Sequence, residues 1–290
     1  MEMKSLLVLL GLLPALACAQ NGTDVYLMRV TSANGIPALS DPANISNKTG
    51  YDNQPFFHPS KPLLYYTSMM PDNQTDIMVY DLSTGTRTQL TKTPDSEYSP
   101  TVLPNQRDLS CIVQRKASGD QDLVAYSLAD PNTTRLIFAS QKTGKIGYQA
   151  WINDNEAVAF VLGEPNALHY FDLKAGTDAV IAPQIGRSLH KIPGRNTFSF
   201  VQQTGNRWIV REFDPKTKKL TDLTDSDPDS EHYNAWTPDG MLLESRGTQL
   251  WAFTPKTKVW TRVPLPADLP AKKISRLAVR DGFLAIVLDE

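Results

Sequence analysis

The stretch Asp229-Ser230-Glu231-His232-Tyr233-Asn234-Ala235-Trp236-Thr237-Pro238-Asp239-Gly240, followed by Met241-Leu242-Leu243, decides how this chain is read. A polar loop runs into a short apolar strand, Pro-Asp-Gly turns the chain, and a second apolar strand follows. Proline presets φ for a turn and glycine supplies a positive φ, so the tripeptide suits a tight connection between two strands. The order recurs upstream. Asn53-Gln54-Pro55-Phe56-Phe57-His58-Pro59-Ser60 precedes Leu63-Leu64-Tyr65-Tyr66, and Tyr98-Ser99-Pro100-Thr101-Val102-Leu103-Pro104-Asn105 precedes Leu109-Ser110-Cys111-Ile112-Val113. Tyr148-Gln149-Ala150-Trp151-Ile152-Asn153-Asp154 leads into Ala157-Val158-Ala159-Phe160-Val161, and His190-Lys191-Ile192-Pro193-Gly194-Arg195 into Phe198-Ser199-Phe200-Val201. The last copy, Arg276-Leu277-Ala278-Val279-Arg280-Asp281-Gly282, precedes Phe283-Leu284-Ala285-Ile286-Val287.

Anchored on Phe57, Val102, Trp151, Ile192, Trp236 and Ala278, the copies lie 45, 49, 41, 44 and 42 residues apart. A period in this range built from strands predicts propeller blades rather than a helical solenoid. A strand–turn–strand element follows the copies, as in Asp76-Ile77-Met78-Val79-Tyr80-Asp81, Thr84-Gly85, Thr88-Gln89-Leu90-Thr91. Alternation and turn residues mark it as a hairpin, which brings each repeat to the four strands of a blade. The sixth copy ends at Glu290 after two strands, while Val25-Tyr26-Leu27 and Ile36-Pro37-Ala38-Leu39 begin with no first half. The expectation is an all-β, six-bladed propeller over 20–290 with four antiparallel strands per blade. Its last blade combines 24–40 with 275–290, which removes the open sheet edges of an unclosed ring. Trp151 and Trp236 are expected to pack between blades.

The repeats resemble those of the TolB-like (WD40-like) propeller family. The match rests on Asp229-Ser230 through Trp236-Thr237-Pro238-Asp239-Gly240, on Asp95-Ser96-Glu97-Tyr98-Ser99-Pro100, and on Met78-Val79-Tyr80-Asp81-Leu82-Ser83-Thr84-Gly85 with Leu90-Thr91. Copies three, four and six lack the Asp-Ser pair. The resemblance implies an envelope propeller that works by binding. Strand patterns begin directly after the leader, so the N-terminal α/β domain of TolB is not expected.

Residues 1–19 read as an export signal: Lys4, an apolar run from Leu6 to Leu13, then Ala17-Cys18-Ala19 before Gln20. The run is too short to span a bilayer. Ala15-Leu16-Ala17-Cys18 also resembles a lipobox, which would leave Cys18 lipidated in a bacterium. The chain is thus expected to be periplasmic or secreted. Cys111 is the other of the two cysteines and reads as a small buried hydrophobe. Asn21, Asn44, Asn47, Asn73 and Asn132 head N-x-S/T sequons, which read either as glycan acceptors or as Asn-rich turns.

With 41% hydrophobic and 21% charged residues and a net charge of −2, the chain lacks the basic stripe of a nucleic-acid binder. It contains no H-E-x-x-H, CxxC, G-x-S-x-G or Gly-rich phosphate loop. His190 and His232, with Gln149, could face one another at a channel mouth and hold a metal, though exposed loop histidines fit the pattern better. The acidic run 225–229 lacks the glycine and distant glutamate of an EF-hand. Neither cofactor nor metal is expected, nor a catalytic residue.

Connections between blades line one face of a propeller. Here they carry Tyr51, Asn53, Glu97, Tyr98, Tyr148, Gln149, His190, Lys191, Glu231, His232, Tyr233, Asn234 and Arg276. Tyr, His and Asn on a rigid scaffold suit recognition. The expected function is a monomeric binding module for a protein or peptide of the cell envelope. The alternative is an enzyme or small-ligand binder, for a sugar or peptide, in the same funnel.

Overall fold

The computed structural model describes residues 22–290 apart from Asn34. The export signal expected over 1–19, with Cys18, lies outside the described residues. The chain opens with β1 (Thr23–Ala33) and β2 (Ile36–Asn44). Blade I follows as β3 (Asp52–Phe57), β4 (Leu63–Met69), β5 (Thr75–Asp81) and β6 (Arg87–Gln89). Blade II is β7 (Ser96–Val102), β8 (Asp108–Gln114), β9 (Gln121–Ser127) and β10 (Thr134–Phe138), and a single turn, α1 (Ser140–Thr143), leads out of it. Blade III is β11 (Ile146–Asn153), β12 (Glu156–Val161), β13 (Ala167–Asp172) and β14 (Thr177–Pro183). Blade IV is β15 (Ile185–Lys191), β16 (Phe198–Thr204), β17 (Arg207–Asp214) and β18 (Lys219–Asp225). Blade V is β19 (Asn234–Trp236), β20 (Leu242–Arg246), β21 (Gln249–Thr254) and β22 (Val259–Val263). The chain ends with β23 (Ile274–Arg280) and β24 (Phe283–Asp289).

These strands form six four-stranded antiparallel sheets. The fold is a six-bladed β-propeller whose last blade, VI, has the order β2-β1-β24-β23 and is closed by the N-terminal strands. β1 pairs with β24 in unbroken register from Thr23 opposite Asp289 to Arg29 opposite Phe283. The seam is tied further by the Glu290 amide, which donates to the Gly22 carbonyl at 2.9 Å. A side chain at Gly22 would meet the Glu290 carboxylate at 2.0 Å, so the close approach needs glycine there or a displaced Glu290.

The hydrophobic core is divided among the seams between blades. Val25, Leu27, Ala285 and Val287 of blade VI pack on Phe57, Leu64 and Tyr66 of blade I. Tyr65 and Ile77 face the other way, onto Val102, Leu109 and Cys111 of blade II. Leu103 and Ile112 meet Trp151 and Ala157 of blade III, and Val158 and Phe160 meet Phe198 and Phe200 of blade IV. Val201 and Val210 meet Trp236 and Leu242 of blade V, whose Leu243 and Leu250 meet Leu284 and Ile286 of blade VI. Successive residues of a strand point to opposite faces, and each middle strand has a blade on both sides. Runs such as Leu64-Tyr65-Tyr66 are therefore apolar throughout instead of alternating.

Polar side chains reinforce the seams. Trp151 Nε1 donates to Ser110 Oγ of blade II at 2.9 Å, and Trp236 Nε1 to Ser199 Oγ of blade IV at 2.7 Å. Both indoles lie between blades. In the turn after β19, Gly240 adopts φ 89°, and Thr237 Oγ1 bonds Asp239 Oδ1 at 2.5 Å. In blade IV the first strand starts at Ile185, earlier than the repeat suggests. Lys191, not Ile192, pairs opposite Phe198.

Candidate functional site

The six inner strands surround a central channel with two cavities. One, of about 400 Å³, opens at the mouth where chain enters the inner strands; its lining includes Thr23, Tyr51, Asn53, Gln54, Tyr98, Gln114, Gln121, Ser275 and Asp289. The other, of about 530 Å³, runs to the opposite mouth, lined by residues from Phe57, Pro59, Val102, Pro104, Gln149, Trp151, His190, Lys191, Pro193, Asn234 and Val279. Gln54, Tyr148, Arg187, Tyr233 and Arg276 border both and so mark the constriction between them.

At the first cavity each blade contributes one large polar side chain: Tyr51, Tyr98, Tyr148, Arg187, Tyr233 and Arg276, from blades I to VI in turn. They form a collar of four phenols and two guanidiniums. The Arg276 guanidinium carbon lies 3.9 Å from the centroid of the Tyr233 ring and 4.8 Å from that of Tyr148. Arg276 Nη2 also donates to Tyr148 Oη at 2.5 Å. Its Nε and Nη1 are shielded and bonded to nothing. Burial works against the charge of both arginines, but the surrounding phenol oxygens outweigh it and each guanidinium holds its proton more tightly than usual. Burial pushes the Tyr51 hydroxyl well above its ordinary range, so that phenol stays neutral.

The expected funnel residues divide three ways. Tyr51, Asn53, Tyr98, Tyr148, Tyr233 and Arg276 line the first cavity. Gln149, His190, Lys191 and Asn234 line the second. Glu97, Glu231 and His232 line neither. Glu97 is fully buried, accepting from Thr93 Oγ1 at 2.5 Å and Tyr126 Oη at 3.1 Å. Its carboxyl is pushed up to about 8, first by burial and then by Asp76, against the bonds from Thr93 and Tyr126. Glu231 pairs with Lys273 on the surface. His232, at φ 60°, stacks on Trp208 with ring centroids 4.1 Å apart, and its Nδ1 lies 2.9 Å from Ser226 Oγ.

His190 and His232 therefore do not face one another. The His190 ring is held neutral by burial, at about 4. Its Nε2, Gln149 Oε1 and Asn234 Nδ2 all lack partners. Among the described residues no cluster of three or more His, Cys, Asp or Glu side chains could hold a metal ion. In the acidic run, Asp225 pairs with Arg207 at 2.5 Å and Asp227 with Arg246 at 3.5 Å. Cys111 is buried and free, and burial holds its thiol well above the usual value.

Arg187 escapes the sequence reading because the fourth repeat is phased from His190. Repeat spacing does not find it: Tyr148 and Tyr233 lie three residues before the anchors Trp151 and Trp236, whereas Arg187 lies five before Ile192, and the pairing of β15 with β16 shifts register between Ile185 and Leu189.

This fold recurs in solved structures. A TolB-type protein of Agrobacterium tumefaciens superposes with a TM-score of 0.69 at 8% identity, over 93% of this chain and 99% of that one. TolB of Acinetobacter baumannii gives a TM-score of 0.62 at 16% identity, over 84% of this chain. This is a TolB-like β-propeller fold. The chain spans 64% of the length of the Acinetobacter TolB. A gluconolactonase of Xanthomonas campestris is similar in the same way, with a TM-score of 0.63, 11% identity, and 95% and 99% of the two chains covered. No sequence-family model and no curated protein sequence matches the chain. At these identities the TolB-like likeness is one of fold. Among the described residues no helix is long and apolar enough to cross a membrane.

Proposed function

We propose that this TolB-like propeller is an exported, monomeric binding module that takes a protein or peptide segment of the cell envelope into the funnel above its channel. The collar carries this reading. Every blade supplies one side chain to it, and tyrosine and arginine dominate, the residue types enriched at binding hot spots. Tyrosine gives large contact area and a hydrogen bond at low cost in side-chain entropy. The leader at 1–19 supports a periplasmic or secreted location, with lipid attachment at Cys18 as the alternative. Mass spectrometry of the mature N-terminus decides between them.

The test is recovery of partners from an envelope fraction by the immobilised protein and by Tyr98→Ala, Tyr148→Ala and Tyr233→Ala variants. Loss of a specific partner in the variants is expected. Equal recovery by all four proteins would remove the collar from the interaction.

A small-ligand binder or enzyme for a sugar or peptide is the second reading. It is favoured by the 530 Å³ cavity, a typical small-molecule size, with unpartnered polar atoms of Gln149, His190 and Asn234 in its wall. Binding of a small solute that an Asn234→Ala variant loses, with no specific partner recovered from the envelope fraction by the wild-type protein, would favour this reading over the first.

A further inference from the structure

We propose that the arginine pair of the collar, Arg187 and Arg276, is a carboxylate-binding site, so that what enters the funnel presents a carboxylate to the constriction. This deepens the binding reading above and rests on it.

The first ground is an imbalance of charge. None of the ion pairs among the described residues includes either arginine. The carboxylates nearby are engaged elsewhere or set apart. Glu97 is turned into the sheet, and Glu231 is paired with Lys273 at the rim. Asp289 lines the same cavity but bonds neither guanidinium. Arg187 and Arg276 border the same two cavities, and the like charge of Arg187 disfavours that of Arg276. An anion between them would relieve that repulsion.

The second ground is unmet hydrogen bonding. Two nitrogens of Arg276, Nε and Nη1, are shielded from solvent without an acceptor. A buried donor left unpaired is costly, and more so on a charged group. The faces of Tyr148 and Tyr233 offset part of this through cation–π contact, but a π face takes no hydrogen bond in the guanidinium plane. Those two nitrogens are closed to solvent in this arrangement, so an acceptor reaches them only where the stacked phenols part, while Arg187 is open to the cavity as it stands. A carboxylate fits, because its two oxygens accept charge-assisted bonds from a planar guanidinium. The phenols beside it can donate to the same group.

A carboxylate can come from a peptide C-terminus or from a sugar acid, and thermal stability measurements at constant ionic strength separate them. Wild-type protein is titrated with N-acetyl-trialanine and N-acetyl-trialanine amide, and with D-glucuronate and D-glucose. The acids should raise Tm and their neutral counterparts should not, since a ligand that binds only the native state stabilises it. A shift with N-acetyl-trialanine alone assigns a chain terminus, one with glucuronate alone a sugar acid, and one with both the carboxylate itself. Arg187→Met and Arg276→Met should each weaken the acid-dependent binding by roughly tenfold or more, the usual worth of a charge-assisted bond. Arg187 is exposed to the channel, so its variant remains a fair test if Arg276→Met fails to fold. Equal shifts by acids and neutral counterparts, no shift by either acid, or acid shifts that survive in the folded arginine variants would overturn the assignment. If those variants meanwhile recover envelope partners as wild type does, the funnel reading stands and the carboxylate site alone fails.

Discussion

Replacing Glu97 with glutamine should flatten one component of the pH dependence of stability. Glu97 is 0% exposed, and its carboxyl titrates near 8 instead of the ordinary 4.5, mainly because burial disfavours the charged form. The folded chain holds this proton longer than the unfolded chain does. Its contribution to stability is therefore complete below about pH 4.5 and lost as pH rises through about 8. At about 1.4 kcal/mol per pKa unit, the loss has a ceiling on the order of 5 kcal/mol, and local relaxation and water entry will bring it lower. Glutamine matches the neutral acid in shape. Its amide oxygen can keep the bonds from Thr93 and Tyr126, and its NH2 can face Asp76. Urea denaturation of both proteins across this pH range gives the difference directly. Other groups cancel in that difference, including His190 and His232, whose lowered values make stability fall as pH drops through about 4. The variant should gain on wild type by a few kcal/mol between the acidic and alkaline ends. Two parallel stability curves would refute the idea that Glu97 is neutral in the native protein.

Trp236→Phe keeps most of the apolar contact but removes the indole bond to Ser199, leaving a buried hydroxyl short of a partner; a loss of about 1–3 kcal/mol in denaturant titration is expected, and no loss would dissociate that bond from the seam. Leu284→Ala opens a cavity where blades V and VI meet and should cost about 2–5 kcal/mol, again by denaturant titration. The Cys111 thiol, buried and held protonated, should be unreactive toward a thiol reagent in native buffer and react fully in denaturant; rapid native labelling would contradict its burial. Removing residues 281–290 deletes β24 and exposes the edge of β1, so loss of the cooperative transition, with aggregation, is expected in light scattering.

The repeat made the ring legible because a blade must bury its middle strands on both faces, which stamps a run such as Leu64-Tyr65-Tyr66 on every copy in phase. The pairing of the two chain ends was legible for a different reason: each end carried half of a pattern. The collar was legible only in part. Glu97 and Tyr98 are adjacent in β7, and there the strand sends Tyr98 to the cavity and Glu97 into the sheet against Thr93 and Tyr126, a split that a loop-based reading does not register. His232 was displaced by its left-handed backbone, which swings the ring onto Trp208. Arg187 was hidden because the fourth copy has no Asp-Ser or aromatic marker to phase it, and its first strand starts before the recognisable segment.

The sheet shared by the two ends also fixes when the molecule can finish folding. Five blades use strands adjacent in sequence, but β1 must wait for β24, which is made roughly 250 residues later on the order of the whole chain. A nascent chain can therefore carry a nearly complete arc with its first hairpin unpartnered until β24 has been made. Joining Glu290 to Gly22 and opening the chain between Ala271 and Lys272, in the exposed connection from blade V to blade VI, would make that last sheet local without splitting another, and the permuted protein should reach its native state faster with the same ring.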